Sequence, residues 1–203
     1  MRVGILVDGQ CEPEALTKLR AKLQCRASMM RPLFVDHLHP KADPGLIAGR
    51  ALKKVPILRK RGAGRIILLI DREDREDCPP KLAAEIAEAL ERRGESGISV
   101  VVKDRALENW LVADPDCFAA LPARFRPGKS FARSVSPNRA DSVRDAAALL
   151  DRAAIGPGYH KRHDPPRILE AIDVATAAKN SRSFRRFLRV IGDKRYRAQS
   201  KQP

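Results

Sequence analysis

Short apolar runs alternate with amphipathic stretches through the first half of the chain. Val3 to Val7, PLFVDHL within Arg31 to Leu38, Ile66 to Ile70 and Ile98 to Val102 read as strands. Runs this short and uniformly apolar suit strands buried on both faces, as in a parallel sheet. Between them, apolar residues recur at helical spacing. Glu12 to Leu23 carries Leu16, Leu19 and Leu23, and Leu46 to Leu58 follows the same rule. Lys81 to Arg93 carries Leu82, Ile86, Ala89 and Leu90, and Gly94 stops it. This alternation predicts an α/β fold, a mostly parallel sheet with helices on both faces.

The pattern changes after Asp114. Pro115, Pro122, Pro127 and Pro137 interrupt it, and helices are predicted over Ala140 to Ala153, Pro166 to Ala178 and Ser181 to Ile191. The loop IGPGYHKRHDPP separates the first two of these. The expected organisation is a core over residues 1–114 and a basic, mainly helical C-terminal extension over 115–203, packed on that core.

The polar residues that end the strands change the picture. The first run stops at Asp8-Gly9. The third stops at Asp71, with Glu73, Asp74, Glu76 and Asp77 close behind. Glu108 lies just past the fourth. In a parallel sheet these ends share one side, where open α/β sheets take ligands. Crowded carboxylates repel one another, and a divalent cation relieves the repulsion; oxygen donors suit Mg²⁺ or Mn²⁺. The acidic run after Asp71 also fits the first turn of a helix, where negative charge meets the positive end of the dipole. Asp74, Glu76 and Asp77 are assigned to such a solvent-facing run. His37 and His39, two apart, would share one face of a strand, as metal ligands or as a polar strand face. GQCEPE has neither the GxGxxG nor the Lys-Ser/Thr ending of a phosphate-binding loop.

Charge adds a partner class. The chain has 203 residues, with 40 Lys and Arg against 25 Asp and Glu, a net charge of +15. Up to Asp114 there are 21 basic and 17 acidic residues; beyond it there are 19 and 8. An excess concentrated in the C-terminal half suggests a polyanion, nucleic acid first. Lys53, Lys54, Arg59, Lys60 and Arg61 sit at or after a helix end, where they also complement the dipole. Aromatic residues make up 4%, which argues against a surface that stacks extended single strands. No two of the four cysteines have CxxC spacing, so zinc-ribbon and thioredoxin motifs are excluded. They read as scattered reduced thiols in a cytoplasmic protein. The strand-like opening MRVGILVDG lacks signal-peptide features, and no apolar stretch approaches the ~20 residues of a membrane span.

Taken in order, VDGQCEPEAL (Val7 to Leu16), LIDRED (Leu69 to Asp74), ENWLVAD (Glu108 to Asp114), YHK (Tyr159 to Lys161) and SRSFRRFL (Ser181 to Leu188) cover nearly the whole chain. This ordered set resembles the Toprim fold, and most closely the small stand-alone Toprim-like, OLD-nuclease-like proteins of bacterial defence and mobile loci, often found beside an ATPase gene. ENWLVAD is the strongest piece. The resemblance implies a Toprim-like Rossmannoid core and a Mg²⁺-dependent nuclease, or a related phosphodiester-transfer protein, with DNA before RNA as substrate. A non-catalytic subunit that binds a partner ATPase or nucleic acid is the alternative. The resemblance implies metal ligation by Asp8, Asp71 and Glu73, with Glu12 in the same divalent-cation site and Asp8 also catalytic. Glu12 or Glu108 would orient or deprotonate water. Lys161, or Lys103, would neutralise the phosphate. Lys103 and the arginines Arg182, Arg185, Arg186 and Arg189 would contact nucleic acid. Two departures stand out: Asp8 replaces a glutamate, and Asp71-Arg72-Glu73 replaces Asp-x-Asp. A third function class, an α/β enzyme acting on mononucleotides, fits the basic C-terminal half less well.

Overall fold

Strand β4, Ala63–Asp71, is the axis of the molecule. In the computed structural model, which describes residues 1–36 and 38–196, β4 lies between β1 (Arg2–Val7) and β5 (Ile98–Lys103). Two short strands, β2 (Ser28–Met29) and β3 (Leu33–Phe34), pair with successive parts of β1 on its other edge. All of these pairings are parallel, in the order β2-β1-β4-β5 with β3 beside β1. Parallel neighbours need crossovers, and the helices that make them bury both sheet faces. Hence the apolar runs have no polar alternation.

The two faces have different covers. On one, Leu6, Ile66, Leu68, Ile70, Val100 and Val102 pack against α2 (Pro44–Leu52), α3 (Val55–Lys60) and α4 (Pro79–Glu91). On the other, Val3, Ile5, Val7, Ile67, Leu69 and Val101 meet α1 (Glu12–Arg20), α5 (Leu107–Leu111) and the helices of the C-terminal half. Those helices are α6 (Lys129–Val135), α7 (Ala146–Ala153), α8 (Asp164–Ala171), α9 (Val174–Asn180) and α10 (Arg182–Ile191). α10 lies against β5, and α8 against α1. The C-terminal region therefore supplies most of one layer of the core.

Several helices are shorter than the hydrophobic spacing predicts. Leu46 to Leu58 is two helices, α2 and α3, broken at Lys53-Lys54. Pro56 stands in the first turn of α3, where its missing N–H is tolerated; inside a continuous helix it would remove a bond and clash with the preceding turn. Pro166 to Ala178 also divides, because Ile172 is extended and Asp173 starts α9 by accepting from the Thr176 N–H at 2.7 Å. Ala140 to Ala153 opens with one short 3₁₀ turn, and Asp145 then caps α7 through the Ala148 N–H at 2.8 Å. The predicted strand over Arg31 to Leu38 reduces to Leu33–Phe34. His37 lies outside the described residues. His39 is not in a strand; its Nδ1 accepts from the Lys41 N–H at 3.1 Å.

Candidate functional site

The C-terminal ends of β1, β4 and β5 meet at one point. Register places Asp71, the last residue of β4, directly beside Lys103, the last residue of β5. Asp71 continues the series Ile67, Leu69, and Lys103 the series Val101, so both side chains leave the sheet on the α1 side. Asp8 follows β1 at the same level, and its Oδ2 accepts from the Asp71 N–H at 2.9 Å. Glu12 opens α1 and reaches back over the strand ends. A Cβ on Gly9 would lie 2.8 Å from the Glu12 carboxylate, so a glycine there leaves room for that approach.

At the centre lies the Lys103 ammonium. Lys103 is completely buried. Its Nζ stands 2.8 Å from Asp71 Oδ1 and 3.3 Å from Asp8 Oδ1, and it also donates to Glu12 Oε1. An ammonium has three N–H donors, and here three carboxylates surround it. Burial alone would lower the Lys103 pKa, but Asp71, Glu12 and Asp8 together hold it well above the usual lysine range. Burial pushes the carboxyls the other way. Glu12 rises to about 7, with Lys103 pulling it back and Asp8 and Glu108 adding to the rise. Asp71 is also raised by burial, again against the pull of Lys103.

Ligand geometry is present as well. Asp8, Glu12 and Asp71 each offer a carboxylate oxygen, and these oxygens lie within 4.8 Å of one another. Glu12 is 1% exposed, and its Oε2 has no hydrogen-bond partner. An unpartnered buried carboxylate oxygen is costly, and hard oxygen donors at this spacing suit Mg²⁺ or Mn²⁺. The residues present fit such an ion.

Further groups line the crevice. Glu108, on the first turn of α5, accepts from the Tyr159 hydroxyl at 3.3 Å. Its charge helps to raise Glu12, Glu73 and Tyr159. Trp110 and Leu111, from the same short helix, are completely buried; the Trp110 ring packs on Phe184 and Phe187. Lys161 is exposed and lies close enough to Glu73 to draw its carboxyl pKa down against the rise from burial. The loop bearing Tyr159 and Lys161 is tied down by Arg124. Its guanidinium grips buried Asp164 at 2.9 and 2.5 Å and also donates to the Ile155 and Gly158 carbonyls.

Three sequence expectations change. Of the four carboxylates expected in one cation site, Glu73 stands outside the set of oxygens that lie close enough to share an ion. The cause is backbone: Glu73 adopts a left-handed φ of 55° and its N–H bonds to the Arg105 carbonyl at 2.8 Å, turning the chain away from the line of β4. Lys103 has no surface to offer a nucleic acid, because it is held inside the carboxylate cluster. Arg185 is a structural clamp. It donates to the Ala178 and Lys179 carbonyls at the end of α9 and to Asn138 Oδ1 at 3.1 Å. Arg182 and Arg186 are exposed, and Arg189 is half-buried. Asp74 and Glu76 are exposed; Asp77 is half-buried and pairs with Lys81 at 3.4 Å.

Sequence reasoning missed Lys103 as the centre of the cluster, and Tyr159 as the partner of Glu108. A signal for the first was present: in β5, Lys103 keeps the parity of Val101, the residue that faces α1. No described helix is long and apolar enough to cross a membrane. No curated protein matches the chain, and no solved structure does. The family model described as a domain of unknown function (DUF4276) matches residues 7–192, which include every residue of this site, and the chain belongs to that family.

Proposed function

We propose that the protein is a Mg²⁺-dependent, Toprim-like phosphodiester-transfer enzyme acting on nucleic acid, DNA before RNA. The observation that carries the reading is the set Asp8, Glu12 and Asp71 at the ends of parallel strands, with a buried Glu12 oxygen left unpartnered. The ordered motifs that resemble the Toprim fold point to the same crevice, and to a role in bacterial defence. Asp8, Glu12 and Asp71 would hold the ion. Bound there, it would supply charge neutralisation at a scissile phosphate and an activated water.

The chain's own residues do the rest. Glu108, oriented by the Tyr159 hydroxyl, holds a carboxylate over the crevice and accepts a proton from the attacking water. Lys161, exposed beside Glu73, meets the phosphate as a point charge. Arg182, Arg186 and Arg189 on α10 contact the backbone at surrounding phosphates, which makes binding strongly salt-dependent. The test is cleavage of end-labelled single- and double-stranded DNA with Mg²⁺ or Mn²⁺ and with EDTA. Cleavage that needs the ion and falls at least about a hundredfold in Asp71→Ala is the expected result. Cleavage that persists in EDTA or in Asp71→Ala overturns it.

One observation favours a second reading, a non-catalytic subunit that binds nucleic acid or a partner ATPase. The Lys103 ammonium already supplies positive charge among the three carboxylates. In that case wild type binds DNA without cutting it, and Asp71→Ala leaves the binding unchanged.

A further inference from the structure

With all three carboxyls ionised, as ligation of a metal requires, the cluster and its ammonium carry a net charge of −2, which one divalent ion would cancel. We infer that Lys103 is an internal cation that does part of a metal's work: it lets the crevice form without metal and restricts the cluster to one divalent ion. This rests on the metal-binding half of the proposed function and is independent of cleavage.

Geometry carries the inference. The Lys103 side chain is 0% exposed, and Nζ contacts all three carboxylates that could ligate an ion. The three do not converge on the ammonium alone. Asp8 Oδ2 also takes the Asp71 N–H, which fixes two of the carboxylates against each other. Glu12 Oε2 faces no donor at all. Lys103 therefore contacts all three carboxylates and still leaves the buried Glu12 Oε2 without a hydrogen-bond partner. Lys103 ends β5 directly beside Asp71, its register partner, so the sheet register holds the ammonium against that carboxylate. A buried cation held this way opposes a second cation by like-charge repulsion at close range, where screening is weak.

The test removes the ammonium and keeps the stem. In Lys103→Met, the three carboxylates face one another without a counter-ion. We expect melting in EDTA to fall well below wild type, and millimolar Mn²⁺ to restore most of the loss. Wild type should also melt higher in Mn²⁺ than in EDTA, because the ion binds the folded state, but by clearly less than Lys103→Met gains. Titration of Mn²⁺ followed by electron paramagnetic resonance should give one ion per wild-type chain. Lys103→Met should bind its first ion at least about tenfold more tightly, because the repulsion is gone. If Lys103→Met does not accumulate as folded protein, Lys103→Met with Asp71→Asn removes one positive and one negative charge together and should fold in EDTA. Equal stability loss of Lys103→Met in EDTA and in Mn²⁺, or wild-type binding of two ions, overturns the inference. Absence of DNA cleavage by wild type would sink the enzymatic reading and leave this one standing.

Discussion

Two buried acidic clusters sit in the same layer of the molecule, and they are satisfied differently. Asp141, in a 3₁₀ turn of the C-terminal half, is 7% exposed. Its Oδ1 accepts from the Ser181 hydroxyl at 2.7 Å and the Ser183 hydroxyl at 3.0 Å, and its Oδ2 from the Ser183 N–H at 2.8 Å. Ser183 Oγ in turn accepts from the Trp110 indole N–H at 2.8 Å. Both oxygens of that carboxylate have partners. At the strand ends, Glu12 is more deeply buried, yet one of its oxygens has none. A closed network of neutral donors locks α10 and Trp110 onto the sheet layer. An open network around a single cation keeps acceptor capacity for something else. Full satisfaction fits a structural role, and the unpartnered Glu12 oxygen fits the proposed ligand site.

Substitutions in the two clusters should have opposite outcomes. Asp71→Ala should cut metal-dependent cleavage by at least about a hundredfold and leave Trp110 fluorescence native. Asp141→Ala should do the reverse. It strips acceptors from two buried hydroxyls and one backbone N–H, so chemical denaturation should show a loss of roughly 2–4 kcal/mol. Mn²⁺ affinity of the protein that stays folded should be unchanged. Loss of Mn²⁺ binding in folded Asp141→Ala would mean that the two clusters are one.

Asp193, a third buried carboxylate, should give a smaller effect with a pH signature. It is fully buried and binds the Arg195 guanidinium at 3.0 and 2.8 Å and the Gln24 N–H at 3.0 Å. Burial alone would raise its pKa, but the hydrogen bonds from Arg195 and Gln24 hold it below its ordinary value of 3.8. A carboxyl with a depressed folded-state pKa stabilises the protein above its unfolded value, and that contribution is lost as pH falls through the folded value. Asp193→Asn should therefore cost about 1–2 kcal/mol at neutral pH. The gap between wild type and variant should close below pH 3.8, the usual aspartate value. A gap independent of pH would assign the effect to packing.

The smallest effect is expected at the acidic run after β4. Asp77→Ala removes a partly exposed pair with Lys81 and should change stability by less than ~0.5 kcal/mol, with Mn²⁺ binding intact. A drop in Mn²⁺ affinity there would extend the site beyond the strand ends.

Much of this follows from local pattern along the chain. Uninterrupted apolar runs set the parallel sheet, because only strands covered on both sides can lack polar alternation. Asp8 and Asp71, as the residues that end two such runs, had to appear on one edge. Trp110 and Leu111 behind Glu108 followed from spacing on one short helix. Prolines and capping residues carried information that hydrophobic period alone overrode: Pro56 and Asp173 divide what spacing joins. Tertiary structure decided the rest. That Lys103 neutralises the cluster depends on the register of β4 against β5, and register is set by packing between segments some thirty residues apart. That Arg185 closes the end of α9 depends on where α9 ends and on Asn138 arriving beside it. A charged side chain has no fixed role in sequence, since local pattern states only that it is charged. Which opposite charges or carbonyls come within reach is decided when the chain closes, because burial makes each of those encounters either satisfied or too costly to keep.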